Sequence, residues 1–268
     1  MEAGLGRAAR RGPHPGLTRG RRRPVARLAA AAVATAIVLV ATLVDAGRPL
    51  DTEDTTVLDP GVGELEAGVD LSRGSDGSAV GSRLVASVGV LPGLEARIEA
   101  SVVAVDPPGQ SWRAGAGDSL IGLKYRLLAE SSDAPAVLLA AAARLPTGDD
   151  ARGLGEGEPA VFALAAVSRR WGPLTLTANA GYVFAAGSRA DDAVLTGLAV
   201  EHQLAFGWTL VGEAFALLGV WNAADQILAR VGAAWQLGPH LRLDGAVGTG
   251  LGSGHADLLL TVGATFRF

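Results

Sequence analysis

The sequence predicts an all-β fold, a transmembrane antiparallel up-and-down β-barrel of about 12 strands. Three observations carry that prediction. Apolar and polar residues alternate with period two in segment after segment, where a helix would repeat every 3.6 residues. The segments have the roughly 9–11 residues that a tilted strand needs to cross a bilayer, whereas soluble strands average about five or six. Short turns and longer polar loops alternate between them, as in a barrel threaded from the periplasm.

The strands fall at 62–72, 82–92, 94–105, 117–129, 134–145, 159–169, 173–185, 193–206, 208–220, 225–237, 240–250 and 256–268. In the first, Leu65, Ala67, Val69 and Leu71 oppose Glu64, Glu66, Gly68 and Asp70. In the fourth, Ile121, Leu123, Tyr125 and Leu127 oppose Gly122, Lys124 and Arg126. In the tenth, Ile227, Ala229, Val231 and Trp235 oppose Arg230, Gly232 and Gln236. The fifth and sixth segments are apolar on both faces and read as strands because of their neighbours. Short turns are expected at Pro92-Gly93, Gly172, Gly207 and Gly238-Pro239, and longer loops at 73–81, 106–116, 146–158 and 187–192. Trp171, Trp208, Trp235, Tyr125, Phe206 and Phe268 fall near the short-turn ends, as an aromatic girdle would; Tyr182, Phe184 and Trp221 fall near the other. The last strand closes on Phe266 and Phe268, a terminal signal expected to be read by the barrel-assembly machinery.

Residues 1–46 read as a signal peptide. An apolar run at 28–44 follows Arg19, Arg21, Arg22, Arg23 and Arg27 and precedes small residues at Val44 and Ala46. A retained anchor and a twin-Arg leader are the alternatives. Residues 47–60 then form a periplasmic segment and 61–268 the barrel, in the bacterial outer membrane and in contact with its lipid. Without the eight Arg and two acids of 1–46, the chain's 23 basic and 27 acidic groups become 15 and 25, a net charge of −10. An acidic chain without basic clusters argues against nucleic-acid binding. The absence of Cys fits an oxidising compartment.

If the apolar face meets lipid, the other face lines the lumen. It carries Glu64, Glu66, Glu95, Arg97, Glu99, Lys124, Arg126, Arg144, Glu201, Glu213, Arg230, Arg242 and Asp244, with Asp70, Asp118, Asn179, Gln203 and Gln236. Such charges would cost several kcal/mol each in a dry core unless paired. Signs match across neighbouring strands: Glu95 and Glu99 adjoin Lys124 and Arg126, and on closure Arg267 adjoins Glu64 and Glu66. The charges either line a narrow solute path, the reading that the strand number favours, or cross-link a plugged interior.

The chain resembles the outer-membrane "transporter" family described by a MetA-pathway of phenol degradation. The matching stretches are R-P-L-D-T-E-D-T at 48–55, P-G-V-G-E-L-E-A at 60–67, G-A-G-D-S-L-I-G-L-K-Y-R-L at 115–127, R-L-P-T-G-D at 144–149 and G-A-T-F-R-F at 263–268. The resemblance implies a barrel that moves small molecules, aromatic or hydrophobic ones among them, with no catalytic residues to carry over. In the fourth stretch Pro146 ends a strand and Thr147-Gly148-Asp149 begins a turn; the functional alternative is a loop that folds inward and constricts the lumen.

No constellation for catalysis, metal or cofactor is found. A lipid-facing hydrolase would need a Ser beside a His, but His202 has none at a matching position on an adjacent strand. His240 and His255 sit in a turn and a loop. Three readings follow: a channel or transporter for small molecules, a non-conducting structural or surface-binding barrel, and a lipid-facing hydrolase, with the chain expected not to be an enzyme.

Overall fold

A computed structural model describes residues 47–75, 77–186, 192–220, 225–251 and 256–268. The expected signal peptide and Trp221 lie outside them. The strands are β1 (Gly63–Gly74), β2 (Gly77–Leu91), β3 (Leu94–Asp106), β4 (Arg113–Ala116), β5 (Ser119–Leu128), β6 (Ala136–Leu145), β7 (Ala160–Trp171), β8 (Leu174–Ala185), β9 (Ala193–Gln203), β10 (Trp208–Gly219), β11 (Gln226–Leu237), β12 (Leu241–Gly250) and β13 (Leu258–Arg267). All pair antiparallel with their neighbours. β4 and β5 are two pieces of one stave, since β3 pairs with both on either side of Gly117-Asp118. The sheet therefore has 12 staves, and β1 pairs with β13 from Glu64↔Arg267 to Arg73↔Leu258 to close it. Closure leaves no unpaired edge, which a bilayer would not tolerate.

The pleat sorts the side chains as the alternation predicts. Leu65, Leu84, Ile98, Leu123, Leu198, Val231 and Val262 are exposed on the outer face, where apolar surface meets lipid. Tyr125, Trp171, Phe206, Trp208, Phe266 and Phe268 are exposed at the short-turn end. There the register partners Trp208 and Trp235 stack at 5.3 Å, and Trp235 Nε1 donates to the Phe206 carbonyl at 3.2 Å.

Two expectations are corrected. The loop expected at 73–81 is mostly strand: β1 runs to Gly74 and β2 resumes at Gly77. The small and polar residues there look like loop, yet Ala79 turns inward and the pleat continues. Gly77 makes the tight turn at φ +121°, a conformation open to glycine alone. The second correction concerns residues 47–60, expected in the periplasm. Of these, 48–58 run inside the barrel, with Arg48, Leu50, Asp51, Thr52 and Glu53 all buried, and Asp59 and Pro60 are exposed.

A polar belt and an apolar wall inside the barrel

The stretch R-P-L-D-T-E-D-T has no strand or helix periodicity, so its backbone groups must find partners elsewhere. It finds them around the inner wall, near the middle of strand after strand. The chain enters past the end of β2, where the Gly61 N–H donates to the Gly89 carbonyl at 2.9 Å. Next, the Leu58 N–H donates to Glu95 Oε2 at 2.9 Å. Glu53 then reaches three strands. Lys124 Nζ lies 2.7 Å and Arg97 Nη1 3.0 Å from its carboxylate, while Asn179 both accepts from the Glu53 N–H at 2.6 Å and donates to the Glu53 carbonyl at 2.8 Å.

One step further, Glu213 on β10 accepts from the Asp51 N–H at 3.0 Å, the Thr52 N–H at 2.9 Å and the Thr52 hydroxyl at 2.8 Å. Arg230 on β11 completes the group. Its Nε lies 2.9 Å from Glu213, Nη1 donates to the Pro49 carbonyl at 3.2 Å, and Nη2 donates to Asp51. Thr52 rests on Gly197 of β9, where a Cβ would overlap its hydroxyl. Finally Arg48 donates to Asp244 of β12 at 3.2 Å and to Thr261 of β13 at 2.9 Å. Residues 48–58 thus form a belt that crosses the lumen and touches most of the staves.

The predicted lumen residues divide by what they do here. Glu95, Arg97, Lys124, Glu213, Arg230 and Asp244 hold the belt. Glu64 pairs within the wall, with Arg267 at 2.6 Å. Glu66, Arg242 and Arg267 line a cavity of about 180 Å³ below the belt, at the short-turn end, and Arg242 with Glu201 lines a second beside it. Glu99 is buried on the inner face of β3, and Arg126 is half-buried on that of β5. Arg144 lies apart at the long-loop end, 3.8 Å from Asp118. The belt residues Arg48, Asp51, Thr52 and Glu53, and the wall residue Thr261, were not foreseen. A readable signal was present: three acids at 51, 53 and 54 precede a barrel whose inner face carries Arg97, Lys124 and Arg230.

The inner face of β6–β9 is different. Leu138, Ala140 and Ala142 of β6, Ala160, Phe162, Leu164 and Ala166 of β7, Val183 of β8, and Ala193 and Leu195 of β9 form one buried apolar cluster. It continues over Phe215, Leu217 and Leu228, and Val57 of the belt packs against it. This explains why the fifth and sixth segments are apolar on both faces: one meets lipid and the other this core.

β6 ends at Leu145, just before Pro146, and the loop after it folds inward against β2 and β3. Asp118, at the break between β4 and β5, accepts from the Gly148 and Glu156 N–H groups, each at 2.9 Å. Leu154 is thereby buried against Ala79, Val103 and Val105. Burial pushes the Glu156 carboxyl above its ordinary pKa, against the pull of nearby Arg144.

Among the described residues no three His, Asp or Glu groups converge on a metal site. His202 is exposed on the outer face, opposite Leu174 and Leu210 on its two neighbours.

The family model "Putative MetA-pathway of phenol degradation" matches residues 46–268. The chain belongs to that family. Among solved structures it is similar to an outer membrane channel from Pseudomonas putida F1, with a TM-score of 0.64 and 16% identity over 82% of this chain and 100% of that one. It is also similar to the KdgM porin, with a TM-score of 0.54 and 10% identity over 76% and 99% of the two chains. The NanC porin gives a TM-score of 0.55 and 13% identity over 76% and 100%. At these identities the likeness is one of fold. No curated protein matches the chain. The closed 12-stave barrel with its apolar outer face and aromatic girdle belongs in the bacterial outer membrane.

Proposed function

We propose that this family member is an outer-membrane channel for small apolar molecules, aromatic ones among them, and that the belt at 48–58 closes it in the conformation described. The observation that supports the solute class is the apolar inner wall of β6–β9. A lumen that conducts ions or sugars is lined by polar groups, and an unbroken strip of Phe162, Leu164, Leu138 and Leu195 offers such solutes nothing. Six of the charged residues expected to line the path, Glu95, Arg97, Lys124, Glu213, Arg230 and Asp244, are on this reading the belt's holding points. The family description, with its reference to phenol degradation, agrees with an aromatic solute.

The test compares the mature chain with a form lacking 47–58, refolded in detergent and placed in planar bilayers and liposomes. The truncated barrel should conduct continuously and pass a monoaromatic compound faster than a sugar of similar size. If neither form passes current or solute, the barrel is a non-conducting structural or surface-binding protein.

We assign the chain no catalytic role. His202→Ala should leave any lipid hydrolysis by the preparation unchanged. Phe266 and Phe268 serve assembly: the Phe268 backbone exchanges hydrogen bonds with Gly63 at 2.8 and 2.9 Å as the last rung of the closing seam. Deleting Phe268 should cut the amount of folded barrel in the outer membrane several-fold while leaving conductance per barrel as it was; normal insertion would contradict this role.

A further inference from the structure

The holding point of Arg48 has a construction the other belt contacts lack. Gly68 of β1 and Gly263 of β13 are register partners and both face inward. The Arg48 guanidinium lies flat over the pair, so that a Cβ at either position would occupy the same space. Gly263 is also the register partner of Asp244 on β12. Asp244 accepts from Arg48 Nη2 at 3.2 Å and Thr261 from the same nitrogen at 2.9 Å. Arg48 is 4% exposed and the Asp244 side chain fully buried. Both bonds come from one nitrogen, so the preference is one of shape: a floor of two facing glycines admits a flat guanidinium laid over it, which a tetrahedral ammonium does not match. The cavity of about 180 Å³ below the belt, at the short-turn end, is lined by Arg48 itself together with Pro239, His240 and Arg267.

We infer that Gly68, Gly263, Asp244 and Thr261 form a guanidinium-binding site in the barrel wall, that Arg48 occupies it as a tethered ligand, and that small guanidinium compounds from the short-turn side compete with it and loosen the belt. The loosening rests on the channel reading above; the binding does not.

The probes are ethylguanidinium and ethylammonium, which have equal charge and similar size. In the Arg48→Ala barrel the site is vacated. Ethylguanidinium should bind it with a Kd in the millimolar range, at least tenfold tighter than ethylammonium, read by calorimetry or by shifts in NMR signals of the β12–β13 seam. Adding Gly263→Ala or Asp244→Asn to that background should abolish binding, with heat-modifiable gel mobility confirming a folded barrel. In the unaltered mature protein, where Arg48 competes, binding should be at least tenfold weaker. Millimolar ethylguanidinium should still raise its open probability several-fold, and ethylammonium at equal ionic strength should not. Equal binding of the two cations, or binding that survives Gly263→Ala, would overturn the inference. Selective binding with no current from any form would keep the site and refute the channel.

Discussion

The inner wall of β6–β9 and the inner wall formed by β10–β13 with β1–β5 share one pleat and one outer environment, yet their chemistry is opposite. The first packs Phe162, Leu164, Leu138 and Leu195 into an apolar core that it shares with Leu120 of β5, Phe215 and Leu217 of β10 and Leu228 of β11. The second presents Arg97, Lys124, Glu213, Arg230 and Asp244, and each of them has a partner in residues 48–58. A buried charge stripped of its partner is costly, so the charged wall is stable only while the belt is present or water replaces it. Of the belt, Val57 alone belongs to the apolar cluster, while Asn179 of β8 and Gly197 of β9 lie outside the cluster and hold the belt. The difference separates two jobs. One sector keeps the barrel standing and offers an apolar surface, and the other grips or releases the closing segment.

The largest effect on that division comes from Glu213→Ala. It leaves Arg230 without its 2.9 Å partner and strips the Asp51 and Thr52 N–H groups of their acceptor. Breaking a buried pair in this way costs about 3–5 kcal/mol, and the loss falls on belt docking. Open probability in planar bilayers should rise at least tenfold, with little change in the temperature at which the barrel loses heat-modifiable mobility. Phe215→Ala is the converse. It removes a fully buried ring from the apolar cluster, at a cost of about 3–5 kcal/mol. The melting temperature should fall, and belt closure should persist.

Smaller changes sharpen the comparison at the long-loop end. Asp118→Ala orphans the Gly148 and Glu156 N–H groups, a loss of about 1–3 kcal/mol. Protease should then nick 146–157 faster while the belt stays closed. The least effect is that of pH. Because the docked loop holds Glu156 with a raised pKa, docking is firmest below the ordinary glutamate range and weakens as pH rises through the raised value. Nicking at 146–157 should accelerate modestly over that interval, and Glu156→Gln should flatten the dependence.

The staves were legible because lipid imposes a strict period on every one of them; boundaries agree within a few residues from β3 onward. At 77–83 the small Ser, Gly and Ala residues weaken the apolar contrast that marks a strand, and the sequence reads as loop. The belt was illegible for another reason. Its partners lie far along the chain, with Asp51 separated from Glu213 by 162 residues and Glu53 from Asn179 by 126. No local pattern reports such pairs, and the only trace is a balance of charge. The lumen parity of Glu213, Arg230 and Asp244 was readable, but parity says that a group faces inward and not what meets it there. The apolar inner face of β6 and β7 was visible as an oddity, and only closure of the barrel gives it a meaning.

The central claim is that movement of the belt opens the lumen. Because the chain contains no Cys, a single cross-link can test it. Thr52 packs directly on Gly197, so Thr52→Cys with Gly197→Cys should form a disulfide that pins the belt to β9. Conductance should be absent from the oxidised protein and return, to the level of either single variant, when the disulfide is reduced in the same bilayer. Equal conductance before and after reduction would contradict the account.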